Sequence, residues 1–278
     1  MITLDTRSVT SPVGILRIFE VVLSCIVFSL VASAGYITTS YWSWCMFTWC
    51  FCCFMTLFIL ILEFTGLNVK VPISWEDFTT AFAMLATLMI LAASVIYPTF
   101  FVCSSCSRGI AATVLSCLCF IAYVIEVGLT RARPGEISGF LSTVPGLMKV
   151  LEAFVACIIF ISLDLVKEPA LQWCVAVYSI CFIFALLIII LTICKLLALC
   201  PFPFDKVLTA YNVLAVVMYM TVVVIWPLYS FKNNQRPSPC NHCAWDKLVV
   251  VSFMSCVNLV VYIVDTCYSV RLVFITPA

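Results

Sequence analysis

Long apolar runs broken by short polar stretches make up almost the whole chain. Eight of them, at 13–34, 44–65, 79–101, 109–130, 146–166, 172–194, 207–230 and 247–270, reach the roughly 20 residues a helix needs to cross about 30 Å of hydrocarbon. They are about twice the length of a barrel strand and lack strict alternation, which argues against strands. The polar breaks, such as 70–77, 131–136, 167–169 and 232–239, are too short to house a separate soluble domain. The pattern predicts an all-α, polytopic transmembrane protein of eight helices.

Composition strengthens this reading. Of 278 residues, 65% are hydrophobic and only 10% are charged, with a mean hydropathy of +1.22. A soluble domain carries about 25% charged residues, so too little polar surface is available to coat a water-facing shell. Fourteen basic and 13 acidic residues leave a net charge of +1, and no basic field exists to attract nucleic acid. The first span has features of a signal peptide, with Arg7 and Arg17 before an apolar run ending in Ala32-Ser33-Ala34. Its counterpart in the repeat described below lies mid-chain, so an uncleaved signal anchor is expected. With the N-terminus inside, nine Lys and Arg fall on the cytosolic side and five on the other. That bias predicts cytosolic termini.

The two halves of the chain repeat one another. Gly14-Ile15-Leu16-Arg17-Ile18-Phe19-Glu20 opens span 1 as Gly146-Leu147-Met148-Lys149-Val150-Leu151-Glu152 opens span 5. Trp49-Cys50 matches Trp173-Cys174, and Val95-Ile96-Tyr97-Pro98 matches Val224-Ile225-Trp226-Pro227. Tyr123-Val124-Ile125-Glu126 in span 4 matches Tyr262-Ile263-Val264-Asp265 in span 8. Each unit has an even number of spans, so both sit the same way up as a parallel repeat.

Several stretches carry a family likeness: Phe47-Thr48-Trp49-Cys50-Phe51-Cys52, Thr130-Arg131-Ala132-Arg133-Pro134-Gly135-Glu136, Thr143-Val144-Pro145-Gly146-Leu147, the run 152–160 and Cys243-Ala244-Trp245-Asp246. From about Pro12 to the C-terminus the chain resembles the myeloid-associated differentiation marker family, whose members hold two tandem MARVEL domains. The resemblance implies two tandem four-helix MARVEL-like bundles, at 12–136 and 137–278, after a short cytosolic tail at 1–11. It also implies a non-enzymatic role in organising membrane domains, junctions or vesicle traffic at the plasma membrane or on vesicles. The partners it implies are membrane lipids, including ordered, cholesterol-rich domains, and other membrane or cortical proteins.

Candidate chemistry is sparse. No nucleophile motif, phosphate loop or metalloprotease helix occurs, and the single histidine, His242, has no neighbouring acid in its loop. No enzyme and no cofactor are expected. Acids inside spans are costly and often functional; here they are Glu20, Glu126, Glu152 and Asp265, near the cytosolic ends of spans 1, 4, 5 and 8. Arg17 and Lys149 each stand three residues before an acid, on the same helix face. The expectation is a structural charge layer in each bundle, tying its first helix to its last; the alternative is a proton or ion site of a small transporter or channel.

Most of the 18 cysteines lie in apolar runs, where a thiol behaves as a small hydrophobe. Cys103-x-x-Cys106 and Cys240-x-x-Cys243 fall in equivalent non-cytosolic loops. Disulfides are the simpler expectation there, with free thiols or a zinc site as alternatives. Cys194, Cys200 and Cys267 near the cytosolic face are palmitoylation candidates. Pro98 and Pro227 are expected to kink their helices. The Tyr and Trp residues at 36, 41, 42, 44, 226, 229 and 245 are expected to act as interfacial anchors.

Overall fold

A computed structural model describes residues 9–103, 106–131, 144–164, 167–194, 196, 204–232, 234, 236–237 and 243–274. Eight long helices account for nearly all of them: α1 (Pro12–Ser33), α2 (Ser40–Phe64), α3 (Trp75–Phe101), α4 (Ser107–Arg131), α5 (Val144–Ser162), α6 (Pro169–Ile193), α7 (Phe204–Lys232) and α8 (Ala244–Phe274). Each is long and apolar enough to cross a membrane. The chain divides into two compact units, the first ending at Ser142 and the second starting at Thr143. In the first unit α1 packs on α2 and α4, and α3 packs on the same two helices, closing a four-helix ring. In the second, α5, α6, α7 and α8 close the same ring in the same order.

Local chemistry sets the helix ends. Ser11 caps α1 by accepting the Gly14 amide at 3.0 Å, with Pro12 in the first turn, where its missing N–H costs nothing. Thr39 caps α2 through the Trp42 amide at 3.2 Å. The other end of α2 is a Schellman turn. Leu67 N–H donates to Leu62 O at 3.0 Å and Gly66 N–H to Glu63 O at 3.1 Å. Gly66 takes the left-handed φ of 64° that the turn requires. This stop places Glu63 in the last turn of α2, at the end of the bundle where α1 begins.

The buried positions give the internal repeat its register. In α1 and α5 the inward residues Gly14, Arg17, Glu20 and Val27 correspond to Gly146, Lys149, Glu152 and Ile159. In α3 and α7, Ala83, Ala86, Ile90 and Tyr97 correspond to Asn212, Ala215, Tyr219 and Trp226. In α4 and α8, Ser116, Cys119, Tyr123 and Glu126 correspond to Ser255, Asn258, Tyr262 and Asp265. The second helices correct the sequence match. Cys45, Trp49, Cys52 and Ile59 face inward as Cys174, Tyr178, Cys181 and Ile188 do, so Trp49 corresponds to Tyr178 and not to Trp173. Hydrogen bonds agree: the Trp49 indole donates to Ser116 Oγ at 3.0 Å, and Tyr178 Oη lies 2.6 Å from Ser255 Oγ. Trp173 is 47% exposed, whereas Trp49 is fully buried. The dipeptide matched by letter, but the helical face did not.

A second correction concerns the aromatic anchors. Tyr36 and Tyr229 are exposed, as an interfacial ring should be, but Tyr41, Trp42, Trp44 and Trp226 are buried. Trp226 donates to Leu248 O at 3.3 Å, and Tyr41 lies against Phe100 with ring centroids 4.9 Å apart. These rings close the bundle ends from inside, because packing against a neighbouring helix removes more apolar surface than a one-sided belt position does. Pro98 and Pro227 both sit inside continuous helices, α3 and α7.

Candidate functional site: a charge layer in each unit

In a lipid-facing bundle the outward positions must be apolar, so ionised side chains are driven to the inside of the ring. Outward positions are residues such as Phe19, Phe54, Ile183 and Val224. Arg17, Glu20, Glu63 and Glu126 of the first unit, and Lys149, Glu152 and Asp265 of the second, turn the other way and gather at one end of each unit.

In the first unit Arg17 is the hub. Its Nε donates to Glu126 Oε1 of α4 at 2.6 Å, and its Nη1 donates to Glu63 Oε2 of α2 at 2.6 Å. One guanidinium fork thus ties three helices together. The Trp75 indole at the start of α3 donates to Glu63 Oε1 at 3.0 Å, bringing the fourth helix into the layer. Glu20 is fully buried one turn along α1, and neither of its oxygens has a donor. The sequence places Arg17 and Glu20 on one face, but the guanidinium extends past Glu20 to two other helices.

In the second unit Lys149 is the hub, and neither its side chain nor those of the two acids beside it is exposed. Its Nζ lies 2.8 Å from Glu152 Oε2 on the same helix and 2.8 Å from Asp265 Oδ2 on α8. It also donates to Asn212 Oδ1 of α7 at 2.7 Å. Asn212 in turn donates to Asp265 Oδ2 at 2.8 Å and to Ser269 Oγ at 3.2 Å. The rings of Tyr211 and Tyr262 stand 5.1 and 5.2 Å from the ammonium, within cation–π range.

All six acids and bases read from the sequence therefore lie in the two layers. Sequence reasoning missed Glu63, Trp75, Asn212 and Ser269. Glu63 and Asn212 each interrupt an apolar run, which was the available signal. Toward the other end of each unit the core is held by uncharged groups. In the first, Ser94 Oγ lies 2.7 Å from Ser116 Oγ, and Thr56 Oγ1 lies 2.7 Å from Tyr123 Oη. In the second, Asn258 donates to Tyr219 Oη at 2.7 Å. A cavity of about 400 Å³ lined by Asp164, Lys167, Trp226, Ser230 and Trp245 opens at the far end of the second unit. The core between it and the Lys149 layer is filled by Tyr178, Tyr219, Val222 and Tyr262.

The cysteines sort by place. Cys103 and Cys106 are joined across a Cα–Cα distance of 5.2 Å between α3 and α4. Cys243 is also disulfide-bonded. Cys240 and His242 lie outside the described residues, as does Cys200. Cys194 follows the end of α6 as a half-buried free thiol, and Cys267 is an exposed free thiol on α8. Among the described residues no group of three or more His, Cys, Asp or Glu is placed to hold a metal ion.

Comparison with known proteins matches this architecture to a family. The MARVEL family, described as a membrane-associating domain, matches twice, at residues 8–129 and 140–268. The chain is 46% identical to a myeloid-associated differentiation marker homolog of Xenopus laevis, over 98% of this chain and 96% of that protein. It is 44% identical to the human myeloid-associated differentiation marker, over 99% of this chain and 92% of that protein. It is 40% identical to human myeloid-associated differentiation marker-like protein 2, over 98% and 95%. No solved structure matches. Two four-helix rings of membrane-spanning length, each covered by one MARVEL match, make this chain a multi-pass membrane protein of the myeloid-associated differentiation marker family.

Proposed function

We propose that the chain organises membrane domains, junctions or vesicle traffic through lateral contacts with lipids and other membrane or cortical proteins, without catalysing a reaction. The observation that carries this reading is the inward turn of every charged group of the two layers against an outer surface of apolar side chains. Such a surface offers neighbours van der Waals contact and little else. The family's description as membrane-associating supports the same reading. The charge layers then act as ties between helices. A transporter or channel reading draws on the same buried acids, but the filled tyrosine core between the Lys149 layer and the far cavity argues against an open path.

In this reading both termini are cytosolic, and the protein resides in the plasma membrane or in vesicles, in contact with cholesterol-rich domains. Cys194 and Cys267, with Cys200, are candidates for palmitoylation at that face. The loop joining α3 to α4 faces the oxidising side, where its Cys103–Cys106 bond persists. Proximity labelling in a polarised cell, run beside a flux assay in proteoliposomes, tests the function. Enrichment of junctional or trafficking neighbours with no flux is expected. Robust ion or proton flux from pure protein overturns it. Epitope tags at Met1 and Ala278 should stain only after permeabilisation, and alkylation of unreduced protein should leave Cys103 and Cys106 unmodified.

A further inference from the structure

The two layers share an imbalance. In the second unit one ammonium faces two carboxyl groups, and Lys149, Glu152 and Asp265 are all at most 1% exposed. Asn212 and Ser269 are neutral, and Tyr211 and Tyr262 supply no cation. With both acids ionised the enclosed site would carry a net negative charge, which burial in hydrocarbon opposes strongly enough that such a group neutralises instead. Asp265 Oδ1 is buried with no donor, and the Glu152 carboxyl adjoins Asp265. Two carboxylates cannot bond each other, whereas a carboxyl and a carboxylate can.

The first unit arrives at the same arrangement with other side chains. Arg17 is spent on Glu126 and Glu63. Glu63 keeps a partly exposed side chain, and with Arg17 on Oε2 and the Trp75 indole on Oε1 neither of its oxygens lacks a donor. Glu20 is left over, 0% exposed, with both oxygens unpartnered and Glu126 beside it. The other titratable groups around it, Cys52 of α2 and Cys119 and Tyr123 of α4, are themselves acids and bring no positive charge. By the burial register Glu20 corresponds to Glu152, and Glu126 to Asp265. The acid pair therefore recurs at equivalent positions although the base and its helpers differ.

We propose that each four-helix unit holds one bound proton in its acid pair, between Glu20 and Glu126 in the first and between Glu152 and Asp265 in the second. The proton is then a component of each layer: it neutralises the acid without a base and makes a hydrogen bond between the first and last helices of the ring.

Infrared spectroscopy of the purified full-length chain in lipid nanodiscs tests this at neutral pH, where an ordinary surface carboxyl is ionised. Two carbonyl-stretch bands of protonated carboxyls are expected, each sensitive to deuterium exchange. Glu20→Gln should remove one and Glu152→Gln the other. Asp77→Asn is the control: Asp77 is buried at the start of α3 with a 2.7 Å bond from Ser74 Oγ and one oxygen without a donor, but it stands outside both acid pairs. It should leave both bands in place. Absence of protonated-carboxyl bands from the unaltered chain overturns the proposal, and this needs no variant to fold. So does loss of a band in Asp77→Asn with none lost in the glutamate variants. Bands that appear only after sodium and potassium are removed would assign the pairs to a metal cation and overturn it as well.

Discussion

The first unit's layer is tied by an arginine that reaches across two helix gaps, and its outer partner, Glu63, keeps 17% of its side chain exposed. The second unit's layer is tied by a lysine sealed between Glu152, Asp265, Asn212 and two tyrosine rings, with the ammonium and both acids at 0% side-chain exposure. The two solutions follow from one substitution at the hub. A guanidinium presents several donors in a planar fork and can serve partners in different directions. An ammonium is a compact charge that must be surrounded, and Asn212, standing where the first unit has Ala83, completes the shell. The open layer can relax toward water at the helix ends when a partner is lost; the sealed one cannot.

The largest expected effect tests that difference. Lys149→Met strands two buried acids and leaves Asn212 Oδ1 without its donor. Removing one partner of a buried pair costs about 3–5 kcal/mol, so folded yield should fall severely. Arg17→Met should cost less, because Glu63 can hydrate and keeps Trp75. Denaturation of both variants in mixed micelles measures the gap. Equal losses would mean that exposure at Glu63 gives no relief and that the two layers are mechanically alike.

Next comes the pair Glu152→Gln and Glu20→Gln. Burial alone predicts similar losses, since both residues are within 1% of complete burial. Partners predict otherwise. Glu152 takes two contacts from Lys149, at 2.8 and 3.0 Å, whereas Glu20 takes none. Glu152→Gln is expected to cost about 1–3 kcal/mol through its charge-assisted bonds. Glu20→Gln, an amide in place of a carboxyl without a salt bridge, should cost under about 1 kcal/mol. A larger loss for Glu20→Gln than for Glu152→Gln in the same unfolding assay would reverse this ordering.

Much of this was legible in the sequence because the bilayer simplifies the code. Length and hydropathy alone mark eight spans, and an acid inside a span has nowhere to go but the bundle interior, which is why Arg17, Glu20, Glu126, Lys149, Glu152 and Asp265 could be named. Partner choice was not legible. Spacing places Arg17 and Glu20 on one face but cannot tell that the longer fork will pass Glu20 for Glu63. The Trp49–Trp173 match failed for a related reason. Letters repeat without reference to helical phase, and in a nearly uniform apolar helix such as α6 the phase shows only once the buried face is seen. The buried Tyr41, Trp42, Trp44 and Trp226 were misread as belt residues because position along the span does not give direction around it.

A smaller effect isolates the shell residue. Asn212→Ala converts the second unit to what the first has at Ala83, and removes one acceptor from Lys149 and one donor each from Asp265 and Ser269. Interhelical polar contacts in membranes average near 0.6 kcal/mol, and three are lost at a sealed site, so about 1–2 kcal/mol is expected. The reciprocal change, Ala83→Asn, gains no ammonium to bond and should not stabilise the first unit. If it does, the layers are more alike than their hubs suggest.

The smallest effect concerns the register that makes the comparison meaningful. If Tyr178 is the counterpart of Trp49, its hydroxyl does for Ser255 what the Trp49 indole does for Ser116. Tyr178→Phe should then cost about 0.6–1 kcal/mol, and a double-mutant cycle with Ser255→Ala should show the two losses to be coupled. Trp173 is the control that decides between registers. It is half exposed on the outer face and makes one bond, to Thr221 Oγ1 at 3.0 Å. Trp173→Leu keeps an apolar surface there and should fall within about 0.5 kcal/mol of the unaltered chain. A cycle of Trp173→Leu with Ser255→Ala should give no coupling, since nothing joins them. Coupling there, with none from Tyr178→Phe, would restore the letter-for-letter match and dissolve the residue equivalences on which the two layers are compared.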